Sequence, residues 1–292
     1  MHDPELVKRL EEKAKQIRRD TLFVLSKGGV GGGGHTPGDM SVTDILTALY
    51  YHQMRSDPKN PEWPERDRFV LSKGHCCAPL YAILADLGYF DKKWLDKYNQ
   101  WHTVLQGHVD KWATPGVEYS GGSLGQGFSF AVGMAFGAMA KAPKMGLPGF
   151  EMRQPRYRVY SVTGDGEICE GQVWSGALTA SSYNLWNLIN IVDYNKYMGT
   201  GPSQISPGLI SLEPLADKWR SFGWNVIECN GNNIGSVLDA LDNAIILPGN
   251  KPRCIIAHTI KGKGIPELEE THMHGSFVTK DLYQKAVKEL FV

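Results

Sequence analysis

The 292-residue chain lacks an excess of either charge, because 31 Lys and Arg balance 31 Asp and Glu. A chain without a basic surplus has no broad attraction for nucleic acid or an anionic membrane, so neither partner is predicted. It also has no apolar run long enough to span a bilayer, and its charged N-terminus does not look like a secretion signal. We therefore expect a cytoplasmic protein.

Cysteine is scarce and unpatterned. The chain has five cysteines, an odd number, and none of them forms a Cys-x-x-Cys pair. A disulfide framework and a thiolate zinc site are both disfavoured. The dinucleotide-binding glycine motif is missing too, since the glycine run at 28–34 follows a predicted helix and not a strand. An NAD-binding enzyme is therefore the interpretation that the sequence favours least.

What the chain does contain is strands that alternate with helices. Three of the predicted strands are Arg68–Leu71, Val159–Val162 and Leu188–Val192. Apolar residues at helical spacing predict a first helix over Pro4–Ser26, and Ser41 is expected to cap a second helix. The alternation predicts an α/β protein with a doubly wound, mostly parallel sheet and helices on both faces. Without a visible linker or internal repeat, we predict a single domain over residues 1–292.

Two of the predicted strands end in oxygen-bearing side chains. The first ends in Gly-Asp-Gly at 164–166, and the next ends in Asp-Tyr-Asn at 193–195. In a parallel sheet both ends open on the side where α/β proteins bind ligands. The oxygens of Asp165 and Asn195 suit Mg²⁺ or Ca²⁺, and Mg²⁺ with few protein ligands usually holds phosphates as well. The alternative is an ordinary turn followed by a capped strand end.

Histidines and glycines stand in the loops around these strands. His35 follows the glycine run, His75 follows the first strand, and His108 lies in a later loop. A solvated or capping histidine is the plain alternative for each. Glycines at 121–127 precede a helix predicted over Phe128–Ala140. A phosphate site at the helix N-terminus and simple tight packing both remain open for that segment.

Together these motifs resemble the thiamine-diphosphate-binding half of the transketolase family. The matching segments are G-H-T-P-G at 34–38, R-D-R-F-V-L-S-K-G-H at 66–75, G-H-V-D at 107–110, G-S-L-G-Q-G at 122–127, G-D-G-E-I-C-E-G at 164–171, V-D-Y-N-K at 192–196 and H-M-H-G at 272–275. The separation of 30 residues between positions 165 and 195 fits the diphosphate motif of the family. The resemblance covers essentially the whole chain.

The resemblance implies thiamine diphosphate as the cofactor, with Mg²⁺ or Ca²⁺ as its metal. It implies that the metal ligands are Asp165, Asn195 and the backbone carbonyl of Tyr197. Residues implied to contact the cofactor are His75, Gly122, Leu124, Gly164, Asp165, Gly166, Glu167, Asn195 and His272. The catalytic residues that it implies are His35, His108, His272 and Glu170. Of these, the glutamate would couple two active sites across a subunit interface, and His274 is the alternative to His272.

The implied activity is transfer of a two-carbon ketol unit from a ketose or its phosphate to an aldose. In this family a separate domain binds the pyrimidine of the cofactor, and we expect a partner subunit to supply it, in a dimer of heterodimers. Two alternatives remain: a related thiamine-diphosphate enzyme for a specialised sugar phosphate, and a non-catalytic subunit that kept the fold. The positions of the candidate ligands and histidines argue against the second.

Overall fold

The structure is a computed structural model that describes residues 2–28, 34–145, 152–199, 201–202, 211–275 and 278–289. The helices are α1 (Pro4–Ser26), α2 (Thr36–Ala48), α3 (Ala78–Leu87), α4 (Gln126–Ala140), α5 (Asp165–Ile168), α6 (Gly171–Ser182), α7 (Leu215–Ser221), α8 (Ile234–Ile246) and α9 (Lys280–Glu289). The strands are β1 (Arg68–Leu71), β2 (Lys144–Met145), β3 (Met152–Arg153), β4 (Val159–Gly164), β5 (Leu188–Tyr194), β6 (Tyr197–Met198), β7 (Gly201–Pro202), β8 (Asn225–Asn230) and β9 (Arg253–His258).

Five of these strands form a parallel sheet in the order β1-β4-β5-β9-β8. Every residue of β4 and β5 is buried, which requires helices on both faces of the sheet. Helix α4 packs on β1 and β4 with α6 against it, and α8 packs on β8 and β9 with α1 and α2 beyond. The predicted α/β class with a covered parallel sheet is confirmed. No helix in the described ranges is both long and apolar enough to cross a membrane.

Helix α2 begins earlier than the sequence predicted. It starts at Thr36, with His35 as the residue before the first turn, so the prediction that Ser41 caps this helix was wrong. Pro37 explains the early start, because proline is tolerated in the first turn, where its missing N–H would have no helical partner. Ser41 is instead fully buried inside the helix. The glycine run before it is described only at its two ends, since residues 29–33 lie outside the described ranges.

The register of the sheet brings the two oxygen-bearing strand ends together. Gly164 at the end of β4 pairs with Asp193 near the end of β5. Strand β9, on the other side of β5, ends at the same edge of the sheet, because Tyr194 pairs with His258, the last residue of β9. Asp165 and Asn195 therefore follow directly on two adjacent strands, at the carboxyl edge where ligands bind in sheets of this kind.

Candidate active site at the carboxyl edge of the sheet

A cavity of about 260 Å³ lies at this edge of the sheet. Most of the residues that the sequence singled out line it: His35, His75, His108, Gly122, Leu124, Gly164, Asp165, Gly166, Glu167, Asn195 and Tyr197. The remaining lining residues are Gly38, Lys73, Met198, Gly199, Lys261 and His274. Side chains from loops that are far apart in the chain thus face one common space.

Asp165 and Asn195 present oxygens at the inner end of the cavity. The Oδ1 atom of Asp165 accepts the N–H of Gly166 at 2.9 Å, while its Oδ2 atom is buried and accepts no hydrogen bond of ordinary geometry within the described residues. The Oδ1 atom of Asn195 accepts the N–H of Tyr197 at 3.1 Å. Burial and the nearby carboxylate of Asp193 raise the pKa of Asp165 to about 7. Burial and a neighbouring negative charge thus disfavour the ionised form of Asp165, and a bound cation would compensate that charge.

A buried ion pair lies behind these two residues, and the sequence interpretation gave it no role. Lys73, which follows β1, donates from Nζ to Oδ2 of Asp193 at 2.5 Å, and both side chains are almost fully buried. Burial alone would lower the pKa of Lys73, but the Asp193 carboxylate outweighs it and holds the pKa above its usual value. The amine is therefore charged. Both residues lie inside the matched motifs S-K-G-H and V-D-Y-N-K, and this was the only signal for them in the sequence.

A second lysine also faces the cavity. Lys261 follows β9 and is 2 % exposed, and its Nζ has no hydrogen-bond partner among the described residues. The Nζ atom lies 5.0 Å from the ring centroid of Tyr197. Burial lowers the pKa of Lys261. Lys261 thus lines the cavity together with Lys73 and Asp165. Two amines beside a carboxylate suit an anion that is bound together with a cation.

Glu167 joins three loops of the site to one another. Its Oε1 atom accepts the N–H of Gly125 at 2.8 Å and the hydroxyl of Ser72, and its Oε2 atom accepts the N–H of Gly164 at 3.0 Å. Gly125 has a φ of 82°, a backbone conformation that favours glycine, and it leads directly into α4. Both oxygens of Glu167 thus accept hydrogen bonds from the protein itself. Glu167 therefore fixes the conformation of the loop at 121–127, which we call the glycine loop.

Four histidines form the outer part of the cavity. The ring centroid of His35 lies 4.8 Å from that of His75, 5.8 Å from that of His108 and 5.1 Å from that of His274. Burial, followed by the influence of His274 and His108, lowers the pKa of His35 to about 4. Burial also lowers the pKa values of the other three rings. At neutral pH each ring is therefore uncharged, with one nitrogen able to donate and one able to accept a hydrogen bond.

Two of the predicted site residues do not line the cavity. His272 is exposed, and its ring centroid lies 6.0 Å from that of Tyr197 outside the lining set. His274, two residues later and the alternative to His272, does line the cavity, and its ring packs against His35 and His75. Glu170 is also exposed, at the start of α6. The loop after β9 has no regular periodicity, which is why the sequence could not separate the two histidines.

Comparison with known proteins shows the family to which the chain belongs. Residues 12–290 match the family described as transketolase, thiamine diphosphate binding domain. The chain belongs to the transketolase family. Among the described residues, no group of three or more His, Cys, Asp or Glu side chains is arranged to hold a metal ion. Asp165 and Asn195, the two side-chain ligands that the sequence resemblance implies, would fit a metal whose other ligands are backbone or cofactor oxygens. The Oδ2 atom of Asp165 accepts no hydrogen bond of ordinary geometry among the described residues, which agrees with that fit.

Two transketolase subunits are similar to the chain over nearly their full lengths. The 6-deoxy-6-sulfo-D-fructose transketolase subunit SqwG of Clostridium sp. (strain MSTE9) is 42% identical over 283 residues, covering 96% of each chain. An apulose-4-phosphate transketolase subunit of Actinobacillus succinogenes is 40% identical over 282 residues, covering 96% of this chain and 95% of that one. Both relatives are therefore transketolase subunits of about the same length.

Solved transketolases share the fold but are much longer. The transketolase of Leishmania mexicana superposes with a TM-score of 0.85 at 30% identity, covering 96% of this chain and 41% of that one. The Campylobacter jejuni enzyme gives a TM-score of 0.84 at 31% identity, covering 99% and 43%. This chain thus spans about two fifths of the transketolases of known structure that it matches.

Proposed function

We propose that the chain is the cofactor-holding subunit of a two-subunit transketolase, which transfers a two-carbon ketol unit from a ketose to an aldose. The observation that carries this proposal is one cavity lined by two kinds of side chain. Asp165, Asn195 and two lysines form its buried inner end, and four uncharged histidines, which are partly exposed, form its outer end. A site that binds an anionic cofactor tail and handles sugar oxygens needs both.

The inner end suits the diphosphate of the cofactor. Asp165, Asn195 and the backbone carbonyl of Tyr197 would hold a divalent metal, Mg²⁺ or Ca²⁺, that the phosphates share. Lys261, which also lines the cavity, would offset the negative charge of the phosphates. Gly122 and Leu124, in the loop that Glu167 shapes, would lie against the cofactor. When bound, thiamine diphosphate supplies the carbanion chemistry that no amino-acid side chain provides.

The outer end suits the sugar. His35 and His108 would donate hydrogen bonds to the hydroxyl and carbonyl oxygens of the donor ketose, and His75 and His274 would complete the wall. Uncharged imidazoles can donate a proton to one oxygen and accept one from another, as a reaction that moves protons near neutral pH requires. Preorganised donors of this kind stabilise negative charge on an oxygen as it develops.

A partner subunit is part of the proposal. The similar chains from Clostridium sp. and Actinobacillus succinogenes are named as subunits and have about the same length as this one. The partner would bind the pyrimidine end of the cofactor, and the two proteins would assemble as a dimer of heterodimers. Glu170, exposed at the start of α6, would then lie at the interface that joins two active sites.

The substrate is proposed to be a ketose that carries an anionic group. One similar subunit is named for a sulfofructose and another for apulose 4-phosphate, so the names of transketolase subunits of this length point to different acidic sugars. We therefore place this chain with specialised sugar transketolases. The alternatives are a related thiamine-diphosphate enzyme and a non-catalytic homologous subunit.

The test is an assay of ketol transfer by the chain alone and by the chain copurified with a pyrimidine-binding partner subunit. Phosphorylated, sulfonated and unmodified ketoses are offered as donors with an aldose acceptor. We expect activity only in the complex, and with at least one acidic ketose. Asp165→Ala should abolish it, because the metal and diphosphate lose a buried ligand. Strong transfer by the isolated chain would overturn the partner assignment, and cofactor binding without transfer to any acceptor would favour the non-catalytic alternative.

The two histidines after β9 provide a matched pair within the same assay. We expect His274→Ala to lower kcat/KM by about 100-fold, as loss of a preorganised donor does. His272→Ala removes an exposed ring two residues away and should leave kcat/KM within about twofold of the wild type. Equal losses in both variants would contradict the assignment of His274 to the cavity wall.

A further inference from the structure

Asp193 lies beside the proposed metal ligands, but its oxygens are already occupied. It is 0% exposed and accepts hydrogen bonds from the Ser41 hydroxyl at 2.7 Å, from Lys73 Nζ at 2.5 Å and from the Thr259 hydroxyl at 2.5 Å. The donors come from α2, from the loop after β1 and from the residue that follows β9. A carboxylate engaged by three donors, one of them a cation, has little left to offer a metal.

Ser41 connects this carboxylate to the proposed metal ligand Asn195. The Nδ2 atom of Asn195 lies 3.3 Å from the Ser41 oxygen. A hydroxyl has one proton to give, and the Asp193 carboxylate is a stronger acceptor than the carbonyl of Gly38, 3.0 Å away. The serine proton therefore points to Asp193, and a serine lone pair is left to accept from the Asn195 amide.

This arrangement determines which way the Asn195 amide faces. With Nδ2 toward Ser41, the Oδ1 atom meets the N–H of Tyr197 and the cavity. The reversed amide would set an oxygen against the lone pair of Ser41 and an NH₂ group against the N–H of Tyr197. Both contacts would be unfavourable, and two buried polar groups would lose their partners.

We propose that Ser41 is a positioning residue, which transmits the orientation of Asp193 to the amide of Asn195 so that the oxygen of that amide faces the metal. The inference rests on the metal site of the proposed function. Lys73 has a supporting part, because its side chain reaches Asp193 across the end of β4 and neutralises the carboxylate. The Cβ and Cδ atoms of Lys73 would each lie 3.9 Å from a Cβ atom built on Gly164. The lysine side chain therefore passes beside the end of β4.

The test compares Ser41→Ala with a matched control elsewhere in the sheet. Ser161→Ala also removes a fully buried serine hydroxyl that contacts an asparagine, since Ser161 donates to Oδ1 of Asn190 at 2.7 Å, but neither residue lines the cavity. The affinity for Mg²⁺ is measured calorimetrically on the copurified complex, with saturating thiamine diphosphate, beside the melting temperature of the apoprotein.

We expect Ser41→Ala to weaken Mg²⁺ binding by at least about 10-fold, the usual cost of losing a group that orients a metal ligand. Ser161→Ala should leave the Mg²⁺ affinity within about twofold of the wild type, although both variants lower the melting temperature of the apoprotein similarly. Ser41→Cys keeps a weak donor and should fall between, and it replaces Ser41→Ala if that variant does not fold. An unchanged Mg²⁺ affinity in the folded Ser41 variant would overturn the inference.

Asn195→Asp separates orientation from structural support. A carboxylate presents an oxygen to the metal in either orientation, so Ser41→Ala should have little effect on Mg²⁺ affinity in the Asn195→Asp background. An equal loss in both backgrounds would mean that Ser41 only supports the fold.

Asp165→Ala distinguishes the two proposals: if the wild type binds no Mg²⁺ with the cofactor, the proposed function fails. If the wild type binds, Asp165→Ala does not, and Ser41→Ala binds normally, only the inference about Ser41 fails.

Discussion

Asp165 and Asp193 are buried carboxylates at the ends of adjacent strands, yet their surroundings differ in kind. Asp193 is bound by Lys73, Ser41 and Thr259, and its charge is compensated within the chain. Asp165 keeps a buried oxygen without an ordinary hydrogen bond from any described residue. One acid thus holds strand ends together, while the other has an oxygen without such a bond, at some cost to stability. In the proposed function, that oxygen serves the metal.

The largest effect is expected from Asp193→Ala. Removing this carboxylate leaves the buried Lys73 ammonium without its partner, and breaking a buried pair costs about 3–5 kcal/mol. Urea denaturation of the apoprotein measures the loss in the free energy of unfolding. Asp217→Ala, which removes a carboxylate on the exposed surface of α7, is the control and should change the free energy of unfolding by less than about 0.5 kcal/mol. A similar small change in both variants would remove the contrast between the two acids.

An effect of opposite sign is expected from Asp165→Asn. The raised pKa of Asp165, about 7, means that the ionised carboxylate destabilises the folded apoprotein above that pH. The amide should therefore raise the free energy of unfolding by about 1 kcal/mol at pH 8, and the gain should shrink as the pH falls toward 4. The proposed function requires Mg²⁺ and thiamine diphosphate to raise the melting temperature of the wild type, and the same variant should lose that rise. A destabilised apoprotein would show that Asp165 is structural, like Asp193.

The smallest effect is expected at the histidine end of the cavity. The pKa of His35, about 4, lies below that of an unfolded histidine, near 6.5, so the unfolded chain binds the proton more readily between these values. Stability from this group is complete above pH 6.5 and is lost as the pH falls toward 4. His35→Gln does not titrate, so the melting temperature of the apoprotein should fall by a few degrees less between pH 7 and pH 5 than in the wild type. Identical pH profiles would contradict the burial of this ring.

The parts of this site that the sequence could predict depend on residues that are close together in the chain. Buried apolar runs located β4 and β5, and the polar residues directly after them located Asp165 and Asn195. Those features depend on neighbours in the chain, and pairing in a parallel sheet then brings them to the same edge.

The parts that could not be predicted depend on distant contacts. Lys73 and Asp193 are 120 residues apart, and nothing near either one indicates the other. The hydroxyl of Ser41 looks like a helix cap in its local context, but its partner is Asp193, 152 residues further on. Lys261 follows a strand in a loop that reads as ordinary surface, and only the fold shows that it is buried.

The contacts of Glu167 have a consequence for how the protein is made. This side chain joins Ser72 and Gly125, which are 95 and 42 residues away, and the network beside it also requires Thr259, which follows β9. Contacts of such long range carry a high entropy cost of loop closure, and neither partner can make them before both have been synthesised. On the ribosome, the glycine loop at Gly125 therefore cannot take this shape before Glu167 has emerged, and Asp193 cannot have all three of its donors before Thr259 has emerged. In the proposed function, capture of the cofactor therefore has to follow the synthesis of β9 and Thr259.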